Sequence, residues 1–201
     1  MVEVMRNSII VIDNFYDNPE EVREEALSMD YLDGGTYPGK DSRTNNFDRA
    51  MIEKISRIVG APIIARGSGN YRLSLEGDTA SRHIHTDAVD YYVANISLTR
   101  NEDVKGGLAL WKHKETGLER SAPSDHLSVE QCGMTLREVE QNIILKDGLD
   151  ESKWEQTTLI PYRFNRCIII DGRNFHSPWP QGFGDSAENG RLSQHFFFIS
   201  I

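Results

Sequence analysis

The chain of 201 residues has little cysteine: Cys132 and Cys167 are its only two, far apart and in no CxxC pattern. Two reduced thiols in a cytoplasmic protein are a simpler reading than a disulfide pair. Cys167 sits inside an apolar run and reads as a small buried hydrophobe. Positive charge is also short, with 22 Lys and Arg against 31 Asp and Glu and a formal net charge of −9. No Lys/Arg run carries interleaved aromatics, so nucleic acid is not an expected partner. Long apolar stretches are missing as well. The charged N-terminus does not read as a signal peptide, and no segment approaches the length of a membrane span. What is present, 38% apolar and 26% charged residues, suits one domain with its own core.

The first 60 residues read as a support. Residues 8–13 are β-branched and predict a strand. Asn18, Pro19 and Glu21 then predict a helix start, with Asn18 as N-cap and Glu21 completing a capping box. A Gly-, Pro- and Asn-rich loop over 34–46 leads to a second helix. There Phe47, Met51, Ile55, Ile58 and Val59 recur at helical spacing, and Gly60 is the terminator. From residue 62 the pattern turns β-rich, with short runs at 62–65, 70–76, 91–98, 108–113, 157–160, 166–171 and 192–199. Turn residues such as Gly77-Asp78 and Gly106-Gly107 separate them, which predicts a barrel or sandwich with flanking helices. A polar insertion over about 114–155 carries a helix over 135–145, opened by Thr135 and Glu138, and is placed as a lid or subunit contact would be. No linker divides the chain, so residues 1–201 are read as one domain.

The sharpest chemical feature is His85-Thr86-Asp87. In extended chain, residues i and i+2 face the same way, so both side chains can reach one cation. His176, in Asn174-Phe175-His176-Ser177-Pro178, is the best candidate for a third ligand. Two imidazoles and one carboxylate make the facial triad of non-haem Fe(II) oxygenases, which leaves positions open for co-substrate and oxygen. His83 competes on the same strand face, but a facial triad needs a carboxylate, and Asp90 is badly phased to replace Asp87. Further on, Arg191, Ser193 and His195 share one strand face, while Leu192, Phe196 and Phe198 take the core side. A guanidinium fork beside a serine hydroxyl matches a carboxylate and is placed to anchor the far end of an acid chelating the metal.

The order His85-x-Asp87, Gly106-Gly107, an apolar strand before His176, then Arg191-x-Ser193 resembles the 2-oxoglutarate- and Fe(II)-dependent dioxygenase superfamily. It looks closest to the prolyl 4-hydroxylase-like branch, and the similarity covers roughly residues 70–200. The resemblance implies a double-stranded β-helix (jelly roll) and Fe(II) on His85, Asp87 and His176. It further implies 2-oxoglutarate with its distal carboxylate on Arg191 and Ser193, O2 as oxidant, and an amino acid, small metabolite or short peptide as substrate. Tyr71 is a candidate hydrogen-bond donor to the keto acid, and Asn95, Ser97, Trp111, His113 and Trp179 are candidate cavity residues. Leu108 stands where prolyl hydroxylases often carry threonine, and the insertion has no counterpart in the minimal fold. Related halogenases lack the carboxylate ligand, so Asp87 favours hydroxylation. A cupin-like metalloenzyme without keto acid and a non-catalytic jelly-roll binding module are the alternatives.

Overall fold

A computed structural model describes residues 9–33, 36–44, 46–87 and 92–201; the expectations for Ser8, Gly34, Asp90 and Tyr91 fall outside them. The supporting segment comprises β1 (Ile9–Ile12), α1 (Pro19–Leu27), β2 (Tyr31–Asp33), β3 (Lys40–Ser42) and α2 (Arg49–Val59). Then come β4 (Ile63–Ala65), β5 (Tyr71–Ser74), β6 (Tyr92–Ser97) and β7 (Gly107–His113). The insertion holds α3 (Asp125–Cys132), α4 (Leu136–Val139), a π-helical turn and α5 (Leu145–Asp147). The chain closes with β8 (Trp154–Pro161), β9 (Cys167–Asp171), β10 (His176–Trp179) and β11 (Arg191–Ser200).

A large sheet runs β1-β9-β6-β11-β5-β3-β2 with β4 also on β11, and a small one runs β10-β7-β8. His85 joins the small sheet through an isolated bridge to His176. From β5 onward the chain winds between the two: β5 large, His85 small, β6 large, β7 and β8 small, β9 large, β10 small, β11 large. That path is a double-stranded β-helix, the jelly roll expected of a mainly β chain with flanking helices.

Alternation along β11 sorts the layers. Leu192, Phe196 and Phe198 face α1 and α2, where Ala26 and Ile55 are fully buried and Phe47 meets Phe196 edge-on at 4.9 Å. On the other side, Val93, Ile168 and Ile170 of the large sheet meet Leu108 and Ile160 of the small one. The insertion lays Val139, Ile143 and Ile144 on the outer face of the small sheet, against Ile84, Ala109, Trp111 and Phe175. Its apolar stripe is spent on this cladding, and none of its described residues lines the cavity described below.

Local differences have local causes. The Asn18 side chain makes no cap bond to the backbone and instead donates to Glu21 Oε2 at 3.4 Å, so the first capping box is not formed. The box at Thr135 and Glu138 is formed, and Gly60 ends α2 in the left-handed region at φ 72°. Segment 34–46, expected as loop, contains β3 and follows directly on β2; these two strands are only three residues long, too short to show periodicity. Cys167 is fully buried and both cysteines are free. Among the described residues no helix is long and apolar enough to cross a membrane.

The packing predicts that Phe196→Ala lowers unfolding free energy by about 3–5 kcal/mol. Leu149→Ala, at a side chain 57% exposed, stays within about 0.5 kcal/mol. Urea denaturation curves of the two variants check both values.

Candidate metal centre

The turn after β9 builds two corners of the site. The Asp171 carboxylate accepts from the Arg173 backbone N–H at 3.0 Å and from the Arg173 guanidinium, while its carbonyl accepts the Asn174 backbone N–H at 3.1 Å and Nδ2 at 2.8 Å. Burial raises the Asp171 pKa, but the bonds from Arg173 outweigh it and hold the carboxyl below its ordinary value. From this turn the Gly172 carbonyl accepts the Asp87 backbone N–H at 2.7 Å, and the Asn174 carbonyl meets His176 Nδ1 at 2.8 Å. On the facing segment His85 Nδ1 meets the His83 carbonyl at 2.7 Å. His85 and His176 also exchange backbone hydrogen bonds of 3.1 and 2.9 Å.

A carbonyl only accepts, so Nδ1 of both rings carries the proton and each Nε2 presents a lone pair. His85 Nε2 lies 3.9 Å from Asp87 Oδ1, and His176 Nε2 lies 3.5 Å from Asp87 Oδ2. The ligand atoms of the three residues lie within 4.8 Å of one another. Burial first, then the neighbouring His176, push His85 well below its ordinary pKa, while burial raises Asp87. With Nδ1 engaged on a carbonyl in each ring, two Nε2 lone pairs converge on the Asp87 carboxyl group. Such a set repels itself in a poorly hydrated site unless a cation sits among the donors. Two imidazoles and a carboxylate fit Fe(II) and other first-row divalent ions.

The triad opens into a cavity of about 380 Å³. Among the described residues the buried side-chain polar atoms without a hydrogen-bond partner are Asn70 Oδ1, His83 Nδ1, Asp87 Oδ2, Asn95 Oδ1 and Arg191 Nε. All five residues line this one cavity. Buried polar groups are ordinarily satisfied, so their clustering marks a place built for a polar ligand. Arg191 is only 4% exposed. Its Nη1 donates to Ser74 Oγ at 3.3 Å and Nη2 to Tyr162 Oη at 3.4 Å, and no carboxylate among the described residues pairs with it.

Other sequence-derived candidates take varied places. Ser193 shares the face of Arg191 but does not line the cavity; its hydroxyl meets His195 Nε2 at 3.0 Å, and Asn95 Nδ2 meets the same nitrogen at 2.7 Å. Burial, then the nearby Arg72 and Arg191, hold His195 well below its ordinary pKa. Tyr71 is a correction. It is buried in the helix-facing core and its hydroxyl accepts from Asn46 Nδ2 at 3.1 Å, because β5 pairs Tyr71 with Gln194 and Arg72 with Ser193. Period-two alternation therefore turns Arg72, not Tyr71, to the cavity, and parity with Ser193 would have been the signal to find it. His83 Nε2 lies 3.1 Å from Glu151 Oε1 rather than with the triad. Trp111 Nε1 donates to Ser177 Oγ in the cladding core, and Trp179 is partly exposed. Arg166 pairs with Asp13 near the surface.

A second group, His113, Glu115 and Asp147, also comes within ligand distance. There His113 Nε2 meets Asp147 Oδ2 at 3.1 Å and Nδ1 meets Thr116 Oγ1 at 3.0 Å, so both ring nitrogens are occupied. This pair ties the insertion to β7.

A divalent ion at a hundredfold excess over its dissociation constant should stabilise the protein by about 2.7 kcal/mol. Differential scanning fluorimetry with Fe(II) under argon, or with Ni(II), is expected to show that shift in the wild type and in His113→Ala, and to lose it in His176→Ala. Asp171→Asn, which loosens the turn without touching the ion, should weaken metal affinity about 10–100-fold in a competitive chelator titration.

Among solved structures, HygX from Streptomyces hygroscopicus, with nickel and 2-oxoglutarate bound, is similar over 97% of this chain and 84% of its own, at 13% identity and a TM-score of 0.59. SnoK, a non-heme alpha-ketoglutarate-dependent carbocyclase from nogalamycin biosynthesis, matches 97% of this chain and 80% of its own, at 12% identity and a TM-score of 0.57. EvdO2 from Micromonospora carbonacea var. aurantiaca, complexed with 2-oxoglutarate, matches 98% and 87%, at 10% identity and a TM-score of 0.53. At such identity the likeness is one of fold, and it agrees with the winding of the two sheets. No curated protein matches the chain. A family model matches residues 1–198, and the chain belongs to that family, a family of unknown function, DUF6445.

Proposed function

We propose that the protein is an Fe(II)- and 2-oxoglutarate-dependent oxygenase that hydroxylates a small molecule. His85, Asp87 and His176 are the metal ligands, and Arg191 receives the distal carboxylate of the keto acid. The observation that carries this reading is a buried guanidinium with no carboxylate partner among the described residues, in the same cavity as two imidazole Nε2 lone pairs and the Asp87 carboxyl group. A fixed positive charge removed from water costs several kcal/mol unless an anion meets it. HygX and EvdO2, which share the fold, hold 2-oxoglutarate.

When bound, the iron and keto acid supply oxidation of a C–H bond by O2, coupled to loss of CO2. The chain's own residues prepare for that. The carbonyls of His83 and Asn174 keep Nδ1 protonated on the two histidines, so Nε2 is free to coordinate. Asp87 neutralises part of the metal charge and occupies the ligand position that halogenases leave to halide. Ser193 acts beside Arg191 by holding His195. Val93, Leu108, Pro178 and Phe197 give the cavity apolar walls that keep water from the reacting carbon. A cupin-like enzyme without keto acid would leave Arg191 unpaired, and a non-catalytic module would leave all the clustered polar atoms without a use.

Anaerobic titration with Fe(II) and then 2-oxoglutarate is expected to produce the visible charge-transfer band of a chelated keto acid. Arg191→Ala should raise the 2-oxoglutarate concentration needed by about 30-fold or more, since truncating one partner of a buried charge pair costs about 2–5 kcal/mol. An unchanged requirement would remove Arg191 from this role.

A further inference from the structure

The cavity wall carries a second guanidinium, and it is held differently from the first. Arg72 on β5 and Asp41 on β3 are cross-strand partners. They bond as a fork, Nε to Oδ1 at 2.8 Å and Nη2 to Oδ2 at 2.6 Å. The third nitrogen, Nη1, has no partner among the described residues, although Arg72 lines the cavity and its side chain is only 18% exposed. The guanidinium lies 5.5 Å from the centroid of the Tyr37 ring, which packs on the His85 ring at 4.4 Å. Asp41, Arg72 and Tyr37 therefore hold Nη1 in one orientation beside a metal ligand. Asp41 keeps a partly exposed carboxylate on the same wall, and Asn70 Oδ1 is a buried acceptor with nothing to accept.

A pre-oriented N–H donor, a carboxylate and an unfilled carbonyl acceptor around one space complement a zwitterion. We propose that the substrate is a free amino acid, its carboxylate on Arg72 Nη1 and its ammonium on Asp41 and Asn70 Oδ1. This specificity determinant rests on the oxygenase reading only for the identity of the oxidised carbon; the binding geometry stands without it. Arg191 is left for the keto acid because it is deeply buried and meets no carboxylate among the described residues, whereas Arg72 is already balanced by Asp41 and suits a ligand with no net charge.

The test is calorimetric titration of the Fe(II)–2-oxoglutarate protein under argon with the common L-amino acids, their methyl esters and their hydroxy-acid analogues. At least one amino acid is expected to bind, with its ester and its hydroxy analogue each about tenfold or more weaker, the equivalent of one charge-assisted hydrogen bond. Arg72→Gln should abolish the preference for acid over ester, and Asp41→Asn the preference for amino over hydroxy. Affinity for 2-oxoglutarate should stay within about threefold in both variants, which reports an intact site. The proposal is overturned if no amino acid binds while 2-oxoglutarate does, if Arg72→Gln keeps the acid preference, or if it weakens 2-oxoglutarate as much as the amino acid. Failure of 2-oxoglutarate to bind the wild type overturns the oxygenase reading alone, and the amino-acid titration repeated without it then decides the anchor.

Discussion

The structure turns on where two protons sit. His85 and His176 each give the Nδ1 proton to a backbone carbonyl two residues back, and this leaves both Nε2 lone pairs facing Asp87. Had either ring found an acceptor on the other side, the same three residues would form a hydrogen-bonded cluster with no room for a cation. The second group in the protein shows that outcome: His113 sits between Thr116 and Asp147 with both nitrogens engaged. Chemically similar side chains serve opposite ends because of what stands behind the ring.

The carbonyl behind His176 is in turn fixed by the turn from Asp171 to Asn174. Its buried carboxylate is held by Arg173, and its backbone reaches both Asp87 and His176. The jelly roll brings this turn, at the end of β9, to the segment of His85, which bridges the start of β10. The apolar cladding supplied by the insertion backs the small sheet to which His85 and His176 belong. Stability and site therefore share parts, since the sheet that the insertion covers carries His176, whose ring centroid lies 4.4 Å from that of His85.

Charge is distributed against the grain of the chain. A net charge of −9 covers the molecule, yet the cavity is lined by Arg72 and Arg191 with Asp41 and Asp87 as its carboxylates. Arg72 is matched within the protein, whereas among the described residues Arg191 donates to hydroxyls and to no carboxylate.

Much of this was legible in the sequence because the relevant rules are local. Period-two alternation in the strand after Gly190 places Arg191, Ser193 and His195 on one face, and the His85-x-Asp87 triplet shares a face for the same reason. The runs of β-branched residues likewise announced most strands. Tyr71 was misassigned, although the pattern of β5 offered either parity, because only pairing with β11 decides which of Tyr71 and Arg72 looks inward. The strands β2, β3 and β10 are too short for periodicity and exist because neighbours pair with them. So the residue types able to bind a cation and an acid, and the faces they share along a strand, were determined by the sequence. The convergence of His85, Asp87 and His176, the lack of a carboxylate beside Arg191 among the described residues and the fork between Arg72 and Asp41 were decided by tertiary structure, since each depends on atoms brought together from segments far apart in the chain.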